Sequence, residues 1–231
     1  ESDVEKEEKI EATKEYSFVS ISTGKGIDKM FEEFNVDKIV SGGQTMNPST
    51  EDILKAIEST EGKNVFILPN NKNIIWAADQ TKELSDRNVI VVPTTSIPEG
   101  VGALIAFDES LSPEENLENM VEYINNTKTG EITFAVRDTE VNGKKIKKDN
   151  IIGLSQGEIV SVGTDLEEIA IELVEEMMDE DKSILTVFYG EDVEEDKAEE
   201  LTEILEDKYS DIDVELIYGG QPLYYYVFSL E

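Results

Sequence analysis

The sequence predicts an α/β protein: a mostly parallel sheet flanked by helices, then an antiparallel hairpin region and a second α/β lobe. Three observations carry that prediction. Across the first hundred residues, short apolar runs such as 65–68 (VFIL) and 89–92 (VIVV) alternate with amphipathic helices. That is the pattern of a parallel sheet covered on both faces. Asn142-Gly143 sits between short alternating segments, a strong β-hairpin signal. Finally, the two ends share one grammar of strand, glycine, helix, strand and Gly-Gly-Gln, at Gly42-Gly43-Gln44 and again at Gly219-Gly220-Gln221.

Taken in order, 16–22 (YSFVSIS) reads as a strand and 23–25 as a loop. Helical spacing then puts Ile27, Met30, Phe31 and Phe34 on one core-facing stripe. A strand at 36–40 leads into Ser41-Gly42-Gly43-Gln44-Thr45, and Ile53, Leu54 and Ile57 form the apolar face of the next helix. The strand 65–68, a turn at 69–71 and a helix at 73–84 follow, then the strand 89–92 and the loop Pro93-Thr94-Thr95-Ser96-Ile97-Pro98. Beyond a helix at 113–125, with Leu117, Met120, Val121 and Ile124 inward, come a half-buried strand at 131–136 and antiparallel segments at 150–154 and 158–162. The basic run Lys144 to Lys148 flanks the hairpin and reads first as lysines guarding an edge strand. The last third predicts a helix at 166–178, strands at 184–189 and 214–218 around a helix at 196–209, and a final strand at 223–230. The domain reading is a charged lead-in over 1–15, a first lobe over 16–108 and a second over 109–231. Because Glu1 is not a methionine, the lead-in is expected to be part of a longer polypeptide.

Composition narrows the chemistry. With 39% hydrophobic residues the chain folds despite a net charge of −33, since disorder requires high charge and few apolar residues together. No apolar stretch approaches the ~20 residues of a membrane span. The chain holds no cysteine and no histidine, which removes thiolate nucleophiles, imidazole bases and ordinary zinc sites. Most acidic residues, such as Glu167, Glu168, Glu172, Glu175 and Glu176, fall on helices and read as solvated faces. An acidic surface repels phosphate backbones and anionic lipid heads, so neither nucleic acid nor direct binding to an anionic membrane is expected. Carboxylates leave an oxygen-ligand site for magnesium or calcium open, but no metal site is assigned.

The polar loops are the site candidates. Gly42 and Gly43 are free to take positive φ, and helix starting explains their neighbours. Asn47 serves as N-cap with Pro48 at the first helical position, or Ser49 caps with Asp52 closing the box three residues on. The functional alternative is that three strand ends converge. Gln44, Thr45, Asn47, Ser49, Asn70, Asn71, Thr94, Thr95 and Ser96 would then ring a pocket beyond the carboxyl ends of one sheet, where α/β proteins bind ligands. No Walker motif or intact G-x-G-x-x-G follows a strand. In "GGQPLYYYVFSLE", Tyr224, Tyr225 and Tyr226 alternate along a strand, and any that face outward are interface candidates.

These residues carry a resemblance. "IVSGGQTMNPSTEDILKAIE", "VFILPNNKNIIWAADQT", "VVPTTSIPEGVGALIAFD" and "YGGQPLYYYVFSLE" resemble the C-terminal region of bacterial fatty acid kinase catalytic subunits, the dihydroxyacetone-kinase-like proteins of the FakA type, from about residue 18 to 231. The layout is also similar to the DegV-like fold of that kinase's fatty-acid-binding partner. The resemblance implies a separate N-terminal domain that binds ATP and magnesium, and a C-terminal region that engages the DegV-like partner. The partner's acyl carboxylate is then phosphorylated for phospholipid synthesis. It implies no cofactor and no catalytic residue in this segment, whose own role would be docking, and a cytoplasmic location. The alternatives are a DegV-like domain with its own acyl or anionic ligand, and a scaffolding domain that forms a homodimer.

Overall fold

The computed structural model describes residues 9–43 and 46–231. The described residues form two compact units. The first holds the chain up to Thr23 together with Asp28–Ile124; the second holds Gly24–Ile27 and Asn125–Glu231.

The first unit carries β1 (Lys14–Ser22), β2 (Lys38–Ser41), β3 (Gly62–Leu68) and β4 (Asn88–Val91), which form a four-stranded parallel sheet in the order β2-β1-β3-β4. Helices α1 (Lys25–Glu33), α2 (Thr50–Glu58) and α3 (Lys72–Leu84) make the crossovers. One face of the sheet buries Val19, Ile21, Val65 and Ile67 against Ile53 and Ile57 of α2 and Ile74 and Ala78 of α3. Phe18 and Phe66 stack at 5.4 Å and meet Phe107 edge-on at 4.9 and 5.9 Å. Such aromatic pairs add to the stabilisation from area burial.

Two local expectations change. Phe34 is 37% exposed rather than part of the buried stripe, because α1 stops at Glu33 and Asn35 turns the chain at φ 60°. A further helix, α4 (Ile97–Ala106), follows the loop after β4, capped by Ser96 with a proline in its first turn. Helix α5 (Pro113–Asn125) then buries Asn116, Met120 and Ile124 within the first unit, while Leu117 and Val121 stay half-buried.

The second unit carries β5 (Lys128–Phe134), β8 (Ile151–Ser155), β9 (Glu158–Gly163), β10 (Ile184–Tyr189), β11 (Asp213–Tyr218) and β12 (Tyr226–Leu230). They form a six-stranded mixed sheet in the order β11-β10-β12-β5-β8-β9. Only β10 and β11 run parallel; the other neighbours are antiparallel. Helices α6 (Leu166–Met177) and α7 (Glu195–Lys208) bury Ile169, Leu173, Val174, Ala198, Leu201 and Leu205 in one core with Leu185, Val187 and Phe228. The Asn142-Gly143 hairpin joins β6 (Thr139–Val141) to β7 (Lys144–Ile146), a separate two-stranded sheet. Both turn residues have positive φ, 51° and 77°, as a type I′ turn requires. The lysines of 144–148 therefore stand on and after this hairpin; the edges of the large sheet are β9 and β11. No helix among the described residues is long and apolar enough to cross a membrane.

Candidate functional site

Because β1 to β4 run parallel, their carboxyl ends share one edge of the sheet. The chain goes from β1 out to β2, then crosses back to β3 on the other side of β1. The switch point of this sheet, where open α/β folds place ligands, is therefore the crevice between the ends of β1 and β3.

Asn70 fills that crevice. Held at φ 56°, it turns its side chain back so that Nδ2 donates to Ser20 Oγ at 3.0 Å and to the Ile21 carbonyl at 2.9 Å. Its backbone N–H donates to Thr94 Oγ1 at 3.0 Å, which ties the end of β3 to the loop after β4. The Asn70 Oδ1 is buried without a hydrogen-bond partner and rests against Gly100 of α4.

The remaining loop residues serve the helix starts. Ser49 caps α2 in a full capping box: its Oγ accepts from Asp52 N–H at 3.1 Å, and Asp52 Oδ2 accepts from Ser49 N–H at 3.0 Å. The bonds from Ser49 hold the Asp52 carboxyl below its usual range. Asn71 caps α3 by accepting from Asn73 N–H at 2.9 Å. Ser96 caps α4, and Glu99 Oε2 reaches back to accept from Thr95 N–H at 2.5 Å and Thr95 Oγ1 at 2.9 Å. Asn70, Asn71, Thr94 and Ser96 are buried; Asn47 and Thr95 are exposed. Gln44 and Thr45 lie outside the described residues.

Neither Gly42 nor Gly43 takes the left-handed conformation that sequence alone allows. Space decides at Gly42, where a Cβ would meet Pro48 Cδ at 2.6 Å and Ile21 Cγ2 and the Met46 carbonyl at 3.1 Å. Among the described residues, a Cβ on Gly43 would meet Thr23 Cγ2 alone, at 3.1 Å.

The three tyrosines divide by depth. Tyr226 is 2% exposed and stacks on Phe228 at 5.8 Å, while Tyr224 and Tyr225 are half-buried. Burial pushes the Tyr226 phenol up to about 12 and the Tyr224 phenol higher still. The aromatic residue that stands out is Trp76, 71% exposed on α3. Sequence periodicity places it off the buried stripe of that helix but gives no sign of its use.

The family model for the C-terminal domain of FakA-like fatty acid kinase subunits matches residues 17–231. The chain belongs to that family. Relatives of this FakA-like domain include uncharacterized proteins of Staphylococcus aureus strains USA300 and MRSA252, each 45% identical over 95% of the chain. The chain spans about 40% of the length of these relatives. Among solved structures, the fold is similar to the DegV family protein Cg2579 of Corynebacterium glutamicum, with a TM-score of 0.68 and 13% identity over 94% of this chain and 96% of that one. It is also similar to the fatty acid kinase B3 protein of Streptococcus pneumoniae loaded with linoleic acid, with a TM-score of 0.61, 12% identity, and coverage of 94% and 99%. Dihydroxyacetone kinase from C. freundii gives 0.58 at 14% identity, over 94% of this chain and 48% of the kinase. The FakA-like C-terminal domain thus has the DegV fold.

Proposed function

We propose that this FakA-like domain is the non-catalytic docking module of a fatty acid kinase. It receives a DegV-like fatty-acid-binding protein so that the acyl carboxylate is phosphorylated by a separate ATP- and magnesium-binding domain. The observation that supports this reading is the filled switch point. In a domain with the fold of acyl-binding proteins, Asn70 bonds Ser20, Ile21 and Thr94 at the place where such a fold receives a ligand, and Thr95 and Ser96 of the neighbouring loop are taken up by Glu99 at the start of α4. Those internal bonds stand against the alternative, a domain that holds its own acyl or anionic ligand. For the docking contact, the reading favours Trp76 over the tyrosine row, because both residue types are enriched at binding hot spots but Trp76 is 71% exposed while the tyrosines are buried or half-buried.

The test is capture of the acyl-loaded DegV-like protein by this chain, with and without the rest of the kinase, beside calorimetry with ATP and with a free fatty acid. Capture of the loaded protein, with no heat from ATP or fatty acid, is the expected result. Saturable binding of free fatty acid by this chain alone replaces the docking reading with the acyl-binding one.

A further inference from the structure

In the second unit, β9 is an edge strand, and its outer side is open. Among the described residues, no N–H or carbonyl of β9 bonds to anything beyond its ladder with β8. A recess of about 530 Å³ lies along this side, lined by four consecutive residues of the strand, Val160 to Gly163. Side chains of a strand alternate between faces, so a recess lined by a continuous run looks onto the backbone edge itself.

The two walls of the recess carry opposite charge. On one face of the sheet the β6–β7 hairpin packs through Ile146 and Val141 against Ile152 and Val162. It brings Lys144 and Lys145 to the recess. On the other face α6 packs through Ile169 and Leu173 with Ile151. It brings Glu172. Among the described residues, neither lysine makes an ion pair. In a chain of net charge −33 they belong to the only concentrated run of positive charge.

We propose that this edge is a docking site for an extended segment of a partner protein, which adds as a strand beside β9 with carboxylates on alternate positions. An added strand presents one face to the hairpin and the other to α6. The lysines therefore select acidic residues at every second position, and Glu172 selects basic or neutral residues between them. The lysines also repel basic or strongly apolar edges, which is how a free edge avoids indiscriminate pairing. The bulge between Gly153 and Leu154 of the β8–β9 ladder limits the regular edge to its Ser161–Gly163 end, so the occupant pairs over only a few residues.

The test uses the full chain and an eight-residue synthetic peptide alternating glutamate with lysine and threonine. A composition-matched peptide with its charges in two blocks is the control. Amide hydrogen exchange is read at residues 158–163, and melting temperature is recorded for every variant. The alternating peptide should slow exchange in β9 by roughly tenfold, whereas the block peptide should not. The Lys144→Gln/Lys145→Gln variant should lose most of the effect at an unchanged melting temperature, and Glu172→Gln should relax the preference for lysine in the peptide. Equal protection by both peptides, or protection that survives the lysine replacement, overturns the proposal. So does peptide binding without protection at β9, which makes the recess a small-anion site. Protection that grows with protein concentration alone makes the edge a contact between copies and overturns it as well.

Discussion

Gly100 and Asn70 offer a reversal of sign that tests the filled switch point directly. A Cβ on Gly100 would lie 2.2 Å from Asn70 Oδ1, 2.9 Å from Cγ and 3.1 Å from Nδ2, so the asparagine side chain cannot stay where it is. Gly100→Ala therefore costs either overpacking strain of about 1–3 kcal/mol or the two bonds from Nδ2, at about 1 kcal/mol each. Replacing glycine by alanine inside α4 returns up to ~1 kcal/mol of helix propensity. The net is a destabilisation of about 1 kcal/mol, seen as a fall in melting temperature of ~2–4 °C for a chain of this size.

Asn70→Gly keeps the left-handed backbone and removes the obstacle. In that background Gly100→Ala has only the propensity gain left, about 0.5–1 kcal/mol of stabilisation. Urea unfolding of the four proteins of the cycle gives the coupling, expected at about 2 kcal/mol, with the effect of Gly100→Ala of opposite sign in the two backgrounds. Destabilisation by Gly100→Ala of the same size with and without Asn70 would refute the packing on which the closed crevice rests.

Three more outcomes follow from the same structure. Gly42→Ala should lower the melting temperature, because its Cβ meets Pro48, Ile21 and Met46, whereas Gly43→Ala, whose Cβ presses on the Thr23 methyl, should lower it less; equal effects at both positions would mean that space does not decide there. Ser49→Ala should cost about 1 kcal/mol at neutral pH. Since the Asp52 carboxyl is held below its ordinary value of 3.8, the part of the cap carried by its bonds from Ser49 is present above that pH and lost as pH falls through the folded value, while the bond from Asp52 N–H to Ser49 Oγ stays. Thermal unfolding from pH 7 to 3 should show the gap between wild type and Ser49→Ala narrowing at the acid end. The association rate with an acyl-loaded DegV-like protein should fall as salt rises while dissociation changes less, given the charge of −33; a flat rate in stopped-flow limits the acidic surface to solubility.

Much of the fold is legible in the sequence because it follows from apolar alternation alone. The runs 65–68 and 184–189 fall on β3 and β10, and the spacing of Ile169, Ala170, Leu173 and Val174 gives the inner face of α6. Helix α4 is not legible, because IPEGVGALIA has two glycines and apolar residues on every side, so no periodic stripe marks it. The direction of β12 has a signal in the length of its connection: only seven residues separate it from β11, too few for a parallel crossover. Of the site, the caps are legible through Ser49 with Asp52 and through Asn71. The function of Asn70 is not, because its bonds run to Ser20 and Ile21, some fifty residues away. Nothing in the local sequence separates a turn asparagine from one that closes a crevice.

The two Gly-Gly-Gln corners show where repetition in sequence stops carrying structure. Both follow an outermost strand that runs parallel to its neighbour, β2 beside β1 and β11 beside β10, so the strand-helix-strand unit does recur. At the first corner the small residue that matters is Gly42, crowded by Pro48 and Ile21 with no positive φ. At the second, Gly220 turns at φ 64°, and the Gly219 carbonyl accepts the N–H groups of Gly26 and Ile27 at 3.0 and 3.1 Å. Those N–H groups open a helix and need an acceptor, which the corner supplies. Gly24 must be glycine for the same approach, since at φ 128° its Cβ would lie 2.7 Å from that carbonyl. Gln221, buried at 4% exposure, donates to the Phe188 carbonyl at 3.3 Å. The second corner is thus a helix acceptor and the first a packed bend beside the filled crevice. A shared motif marks a shared topology, and the chemistry at each copy is set by what packs against it.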